Sequence, residues 1–463
     1  MYQYKSLEDT IAAIATPPGQ GGIGIVRLSG PRALSIAGVV FQLKSNKKIA
    51  DAPTHTVHYG RIIRGGRAID EGLLTVMRGP KSYTTEDVVE INCHAGLAAV
   101  RAVLEAALDA GARLAEPGEF TKRAFIHGRI DLAQAEAVLD IIQAKTQAFL
   151  RAGHTQLKGE LSAALAAVRN ELMSIYTAVE ALINFPEDDI DAKGREALLR
   201  GIRAQEKAVE HLVRTSDQGR LLKEGIRIVL CGRPNVGKSS LLNVLLKNDR
   251  AIVSPLAGTT RDPLEENAQI QGIPFQIIDT AGILEPRDII EEEAVKRSRQ
   301  HMDEADIILL LLDAGIPLSA EDKHLAGQLE GRKVIAVLNK SDLPARVKAE
   351  DVNGLLPGSR VVAVSALKKT GTDALESAIL DCVGRGDHFD GQGVLVSNVR
   401  HVQALKLAQD HLHQAADLTA KNTSWEFVSE EIKGAVNHLD AVTGRNIDAD
   451  LLDRIFSEFC IGK

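Results

Sequence analysis

The stretch Gly232-Arg233-Pro234-Asn235-Val236-Gly237-Lys238-Ser239 constrains the fold more than any other part of the 463-residue chain. It follows the apolar run Ile226 to Leu230 and precedes Ser240-Leu241-Leu242-Asn243, so it reads as a strand, a glycine-rich loop and the start of a helix. Its two glycines let successive main-chain N–H groups, from Asn235 through Ser240, curl inward onto phosphate oxygens. The positive end of the following helix dipole adds to them. Lys238 is expected on the β- and γ-phosphates, and the Ser239 hydroxyl on magnesium.

Further motifs follow in order. Asp279-Thr280-Ala281-Gly282 comes after the apolar run Phe275–Ile278; Asp279 would reach magnesium through water, and the Gly282 N–H would sense the γ-phosphate. Asn339-Lys340-Ser341-Asp342 comes after Val334–Leu338. A carboxylate at Asp342 can accept two hydrogen bonds from the N1–H and exocyclic amine of guanine, which adenine cannot supply, so the motif selects GTP over ATP. Ser365-Ala366-Leu367 would back the base with a main-chain N–H. Motifs in this order, each at the C-terminal end of a strand, predict a GTP-binding α/β domain between about Gly225 and Gly386. Ile283 stands where Ras-like enzymes carry a water-orienting glutamine, so hydrolysis must find its positioning group elsewhere. The segment Gly258-Thr259-Thr260-Arg261-Asp262 looks like a first switch, and Glu291-Glu292-Glu293 reads by charge alone as a solvated helix face.

The formal net charge of -7 gives no general pull toward nucleic acid, so an RNA contact would need a local patch or a partner. The four cysteines, Cys93, Cys231, Cys382 and Cys460, lack CxxC spacing, which argues against zinc sites and a disulfide framework. No apolar run approaches a membrane span and no signal pattern opens the chain, so a cytoplasmic setting is expected. Residues 10–30 read as strand, Pro-Gly turn and a second strand carrying Arg27. Strand patterns recur at Thr56–Ile63, Leu73–Arg78 and Asp87–Asn92, the last broken by Glu90, and residues 96–111 read as a helix. Arg27 and Glu90 are either a structural ion pair or ligand contacts. From Leu132 to Asn184, Ser216 to Leu222, Val402 to Leu418, Phe427 to Val442 and Ile447 to Phe459 the spacing predicts packed helices, with Pro186 to Asp191 as an acidic turn. Helical segments on both sides of the nucleotide region predict one helical domain with a nucleotide-binding domain inserted.

These residues, with TPPGQGGIGIVRLSG near the start, PGEFTKRAF and RIDLAQAEAV at the junction, and the final Cys460-Ile461-Gly462-Lys463, resemble the MnmE (TrmE) family of tRNA-modification GTPases over essentially the whole chain. The resemblance implies a multidomain α/β and α+β protein. Its parts are an N-terminal α+β folate-binding-like and dimerisation domain (1–120), a discontinuous α-helical domain (121–222 and 387–463) and an inserted Ras-like P-loop GTPase domain (223–386). It implies a homodimer and a heteromeric complex with the FAD-dependent protein MnmG (GidA). Together they would add an aminomethyl-type group, often carboxymethylaminomethyl, at C5 of the tRNA wobble uridine, with tRNA bound largely through the partner. A tetrahydrofolate derivative, 5,10-methylene or 5-formyl, carries the one-carbon unit. Arg27, Glu90, Lys463 and Arg129, the last where many members have lysine, match folate contacts, and Cys460 matches the family cysteine. Asn235, Ser254, Leu256 and Thr259 match a potassium cage; Ser239 and Thr260 would hold magnesium. Glu291 matches the glutamate that orients water, with Glu292 as the register alternative. A ribosome-assembly GTPase switch without folate chemistry is the rival reading, and a one-carbon transferase merely regulated by GTP is a third.

Overall fold

Alternating apolar and polar residues build a seven-stranded N-terminal sheet in the computed structural model, which describes residues 8–44, 48–185, 192–248, 265–270, 272–279, 301–383 and 393–463. Its strands are β1 (Ile11–Ile14), β2 (Gly24–Ser29), β3 (Phe41–Leu43), β4 (Thr56–Arg64), β5 (Arg67–Met77), β6 (Val88–Cys93) and β7 (Arg113–Leu114), in the order β3-β4-β5-β6-β2-β1-β7. Neighbours are antiparallel except β1 and β7. Val26, Leu28, Leu74, Val76, Val89 and Ile91 bury one face against the helices Ala33–Val40 and Leu97–Asp109. That period-2 pattern leaves Arg27 and Glu90, directly opposite in register, on the other face. β5 begins at Arg67, earlier than the apolar pattern suggests, because Gly65 and Gly66 both take positive φ (57° and 77°) and close a two-residue hairpin onto its polar end.

The described residues fall into two compact units. Met1–Leu139, Gln156–Lys207 and Ala404–Lys463 form one; Asp140–Thr155 and Ala208–Gln403 form the other. In the first, the helix Glu160–Asn184 packs against Trp425–Thr443. Leu161, Leu165, Val168 and Leu172 on one helix, and Val428, Ile432, Ala435 and Leu439 on the other, recur at three- and four-residue spacing and are buried. Arg169 grips Asp440, 271 positions away, with two hydrogen bonds of 2.6 and 3.1 Å. The helical domain is therefore discontinuous in sequence, as expected; the acidic stretch 186–191 lies outside the described residues.

The second unit holds a six-stranded sheet, β8 (Ile226–Cys231), β9 (Glu265–Ile270), β10 (Ile273–Asp279), β11 (Ile307–Asp313), β12 (Val334–Asn339) and β13 (Arg360–Ala363), ordered β13-β12-β11-β8-β10-β9. Only the β9–β10 pairing is antiparallel. Every residue of β11 and β12 is buried, which is why they read as unbroken apolar runs. Leu221 and Leu222 of the helix Ser216–Glu224, with Ala148 and Phe149 of the helix Gln147–Leu157, join the core formed by Ile228, Ile277 and Leu309.

Candidate functional site

β8 delivers the chain to Gly232 at the C-terminal edge of the sheet, between β10 and β11, where strand order runs outward in both directions. The loop needs positive φ at Gly232 (147°), Asn235 (64°) and Gly237 (100°). Gly237 is required twice over, since a Cβ there would lie 2.2 Å from Asn339 Nδ2. Val236 is buried. Lys238, 8% exposed, folds back over the loop and donates from Nζ to the carbonyls of Gly232 (2.8 Å) and Arg233 (3.0 Å). Ser239 and Ser240 stand exposed in the first turn of the helix Lys238–Asn248.

The segment Asn339–Asp342, expected from its motif to read the base, is tied to this loop. Asn339, buried at the end of β12, donates from Nδ2 to the Val236 carbonyl (2.8 Å), and its Oδ1 accepts the Ala366 N–H (3.1 Å). Lys340 donates to the Asn235 carbonyl (3.0 Å) and to Asp313 Oδ2 (2.7 Å). Burial pushes the Asp313 carboxyl up, but the Lys340 hydrogen bond and charge outweigh it and hold it below its ordinary value. The Ser365 hydroxyl donates to exposed Asp342 and accepts the Lys368 N–H at 3.1 Å, so the carboxylate is oriented yet reachable. Asp313 escaped the sequence reading because it ends β11 outside any recognised motif. Asp279 is the last residue of β10, paired in register with Leu230. Ser254, Leu256, Thr259, Thr260, Thr280, Ala281, Gly282, Ile283, Glu291 and Glu292 lie outside the described residues.

The second site is in the first unit. Arg27 donates from Nε to Glu90 Oε1 (2.8 Å), and its Nη2 lies 2.8 Å from the same oxygen. Its Nη1 donates to the Gly462 carbonyl (3.1 Å), and its guanidinium lies 5.7 Å over the Phe120 ring. The final residues are held by main chain: Gly118 N–H donates to the Cys460 carbonyl (3.4 Å) and Phe120 N–H to the Lys463 carbonyl (3.2 Å). Behind them Phe456 and Phe459 pack with Leu132, Ala135 and Leu452. Tyr83 packs with Phe120, its hydroxyl 3.0 Å from that of Thr121. Arg129 lies 4.9 Å over the Tyr83 ring and donates to the Tyr83 carbonyl (2.9 Å). Burial raises the Tyr83 phenol, with the Thr121 hydrogen bond and the charges of Arg129 and Arg27 pulling the other way. Arg27, Glu90, Arg129 and Lys463 are thus brought together around Phe120 and Tyr83, two aromatics the sequence reading did not single out. Cys460 is exposed beside them, whereas Cys93 and Cys231 are buried and pushed up to about 11 and about 12.

The donor set is chemically mixed: a carboxylate acceptor, two guanidiniums and two aromatic rings suit a flat heterocycle with a donor edge and an anionic end. The sequence left Arg27 and Glu90 open between ion pair and ligand contact. They do pair, across adjacent strands, and both remain partly exposed.

Comparisons with known proteins cover nearly the whole chain. The family profile described as "MnmE helical domain" matches residues 132–460, and "GTP-binding protein TrmE N-terminus" matches residues 10–129. The tRNA modification GTPase MnmE of Bacillus velezensis is 45% identical over 458 residues, covering 98% of this chain and 100% of that protein. That of Alkaliphilus metalliredigens is 44% identical over 459 residues, covering 99% and 100%. Among solved structures, Aquifex aeolicus Era bound to GDP and an aluminium fluoride is 30% identical, covering 40% of this chain and 66% of that one, with a TM-score of 0.28. Among the described residues no helix is long and apolar enough to cross a membrane. With likeness running from end to end over both profiles and its relatives, the chain belongs to the MnmE family of tRNA modification GTPases, enzymes that bind GTP and hydrolyse it.

Proposed function

We propose that the protein is a potassium-activated GTPase that acts with the FAD-dependent protein MnmG to place an aminomethyl or carboxymethylaminomethyl group on C5 of the wobble uridine of certain tRNAs. The observation that carries this reading is the presence, in a chain with a guanine-nucleotide site, of a second site where Arg27, Glu90, Tyr83 and Arg129 meet the docked residues Cys460–Lys463. A switch that only recruited a partner would have no use for it.

At the nucleotide, the loop N–H groups and Lys238 hold the phosphates, Asp342 reads the guanine edge, and Ser239 with Thr260 holds magnesium. Asn235, Ser254, Leu256 and Thr259 hold potassium, which supplies the positive charge that an arginine supplies in other GTPases. Of these cation ligands Asn235 and Ser239 are described, and both present exposed oxygen-bearing side chains on the loop, as a hard cation requires. Glu291, or Glu292 in the adjacent register, orients the attacking water in place of the glutamine that Ile283 replaces.

At the N-terminal site, Glu90 accepts from the donor edge of a tetrahydrofolate heterocycle, and Arg27, Arg129 and Lys463 meet its acceptors and charge. The 5,10-methylene or 5-formyl derivative supplies the one-carbon unit when bound. Cys460 is assigned to the same chemistry. Residues 1–120 form a homodimer, so that two GTPase domains, each 223–386, meet when GTP is bound; the helical segments 121–222 and 387–463 carry the change to the folate site. MnmG brings FAD and most of the tRNA contact, in the cytoplasm.

Mass spectrometry of tRNA nucleosides from a deletion strain tests this reading. Loss of the wobble-uridine modification, restored by the wild-type gene, supports it; an unaltered wobble uridine removes it. Equal GTP turnover in sodium and potassium salts would remove the potassium assignment alone.

A further inference from the structure

Arg123 is the largest almost wholly buried side chain among the described residues, at 1% exposure, and the chemistry above does not use it. It projects from the helix Glu119–Ile126 into three carboxylates from separate segments. Its Nη1 donates to the Asp9 carbonyl (3.0 Å) and to Glu86 Oε1 (3.0 Å), and its Nη2 donates to Asp9 Oδ1 (2.6 Å) and Glu119 Oε1 (2.9 Å). Arg113 joins Asp9 and Glu119 from β7. The Ser29 hydroxyl lies 2.6 Å from both Glu86 Oε2 and the Thr84 hydroxyl.

Two limbs of this knot, those through Glu86 and Glu119, end one or two residues from a group of the N-terminal site. Ser29 is two positions along β2 from Arg27, Thr84 follows Tyr83, and Glu119 lies between Gly118 and Phe120, whose N–H groups hold the carbonyls of Cys460 and Lys463. We propose that Arg123 is the positioning residue of this site: one planar fork sets where Arg27, Tyr83 and the Cys460–Lys463 segment stand relative to one another.

Stability alone does not explain the knot. Buried ion clusters are often matched or bettered by apolar residues of similar volume, and here Arg123 Nε is buried without a partner, which is itself a cost. What a guanidinium adds is fixed directionality toward several carboxylates, which a lysine ammonium lacks. The inference rests on the folate reading only for its ligand readout.

The test uses the full chain with Arg123→Lys and Arg123→Met, read by melting temperature, amide hydrogen exchange and titration with 5-formyl-tetrahydrofolate. Both variants should fold, with exchange at Gly118 and Phe120 about tenfold faster and the ligand at least about tenfold weaker, while the sheet amides of β2 and β6 stay protected. Glu86→Gln, which weakens only the limb to Ser29 and Thr84, should weaken the ligand yet leave exchange at Gly118 and Phe120 unchanged. Unchanged exchange at Gly118 and Phe120 in both Arg123 variants overturns the proposal. So does acceleration spread evenly over the unit, which marks a merely structural role. Should either Arg123 variant fail to fold, an unchanged ligand affinity in Glu86→Gln overturns it as well. Failure of the wild-type chain to bind the ligand would sink the folate reading, while the exchange result would still decide the positioning role.

Discussion

The phosphate loop and the N-terminal site both gather polar groups at a sheet, but they draw them from opposite kinds of sequence. In the nucleotide site the described functional groups, Asp313 apart, belong to short words placed where a parallel strand ends: Gly232 to Ser239 after β8, Asn339 to Asp342 from the end of β12, Ser365 and Ala366 after β13. In the N-terminal site Arg27 bonds to a carbonyl 435 positions away, and the helix start at Gly118 is completed by residues 460–463. The contrast teaches that a site made mostly of main chain needs only a local conformation, whereas one made of crossing charges exists only once distant segments have docked.

Several substitutions would break or sharpen that contrast. The largest effect is expected from Lys238→Ala: phosphate-release assays should show kcat falling by about 10²–10³-fold, the loss typical when one preorganised charge or donor is removed from a transition state. Activity within tenfold of wild type would break the account of the loop. Next, Asp342→Asn swaps an acceptor for an amide facing guanine donors. GTP should bind about 10–100-fold more weakly, as expected for lost hydrogen bonds to a charged group, while xanthosine triphosphate, whose C2 carbonyl can accept from the new amide, should bind more tightly in the same titration. Glu90→Gln should weaken 5-formyl-tetrahydrofolate about tenfold in calorimetry, since one charge-assisted bond becomes neutral; an unchanged affinity would mean that Glu90 serves Arg27 alone.

The smallest effect concerns acid. Burial pushes Asp9 and Glu119 up, but hydrogen bonds and charges from Arg113 and Arg123 outweigh it and leave both below their ordinary values of 3.8 and 4.5. A depressed carboxyl contributes stability that is complete above the ordinary value and is lost as pH falls toward the folded one. Exchange-protected amides of the N-terminal sheet should therefore stay stable from pH 7 to about 5 and weaken below it. In Arg123→Met that acid slope should flatten; a slope equal to wild type would show that the carboxylates are held by other means.

The same contrast explains what the sequence disclosed. The nucleotide domain was legible because its motifs each carry a mechanism, and β11 and β12 are apolar throughout because both faces are covered. The helical spacing of Leu161, Leu165, Val168 and Leu172 announced a helix but not its partner, which lies on Trp425–Thr443. For the same reason Ala148 and Phe149 gave no sign that they belong to the nucleotide-domain core. Arg27 and Glu90 stood out as charges in apolar strands, yet only the register of β2 with β6 reveals them as a pair. Arg123 was invisible as a buried group: in the run PGEFTKRAF it looks like any helix-surface cation, because the acids that neutralise it include Asp9 and Glu86, which periodicity cannot place nearby.

Asn339 has one amide group and uses both ends of it, one on the glycine-rich loop and the other on the turn after β13. The separation between the two grips is therefore set by one planar side-chain amide rather than by the compliance of two independent loops. The glycine-rich loop and the turn after β13 are thus held by one rigid amide and share a single spacing.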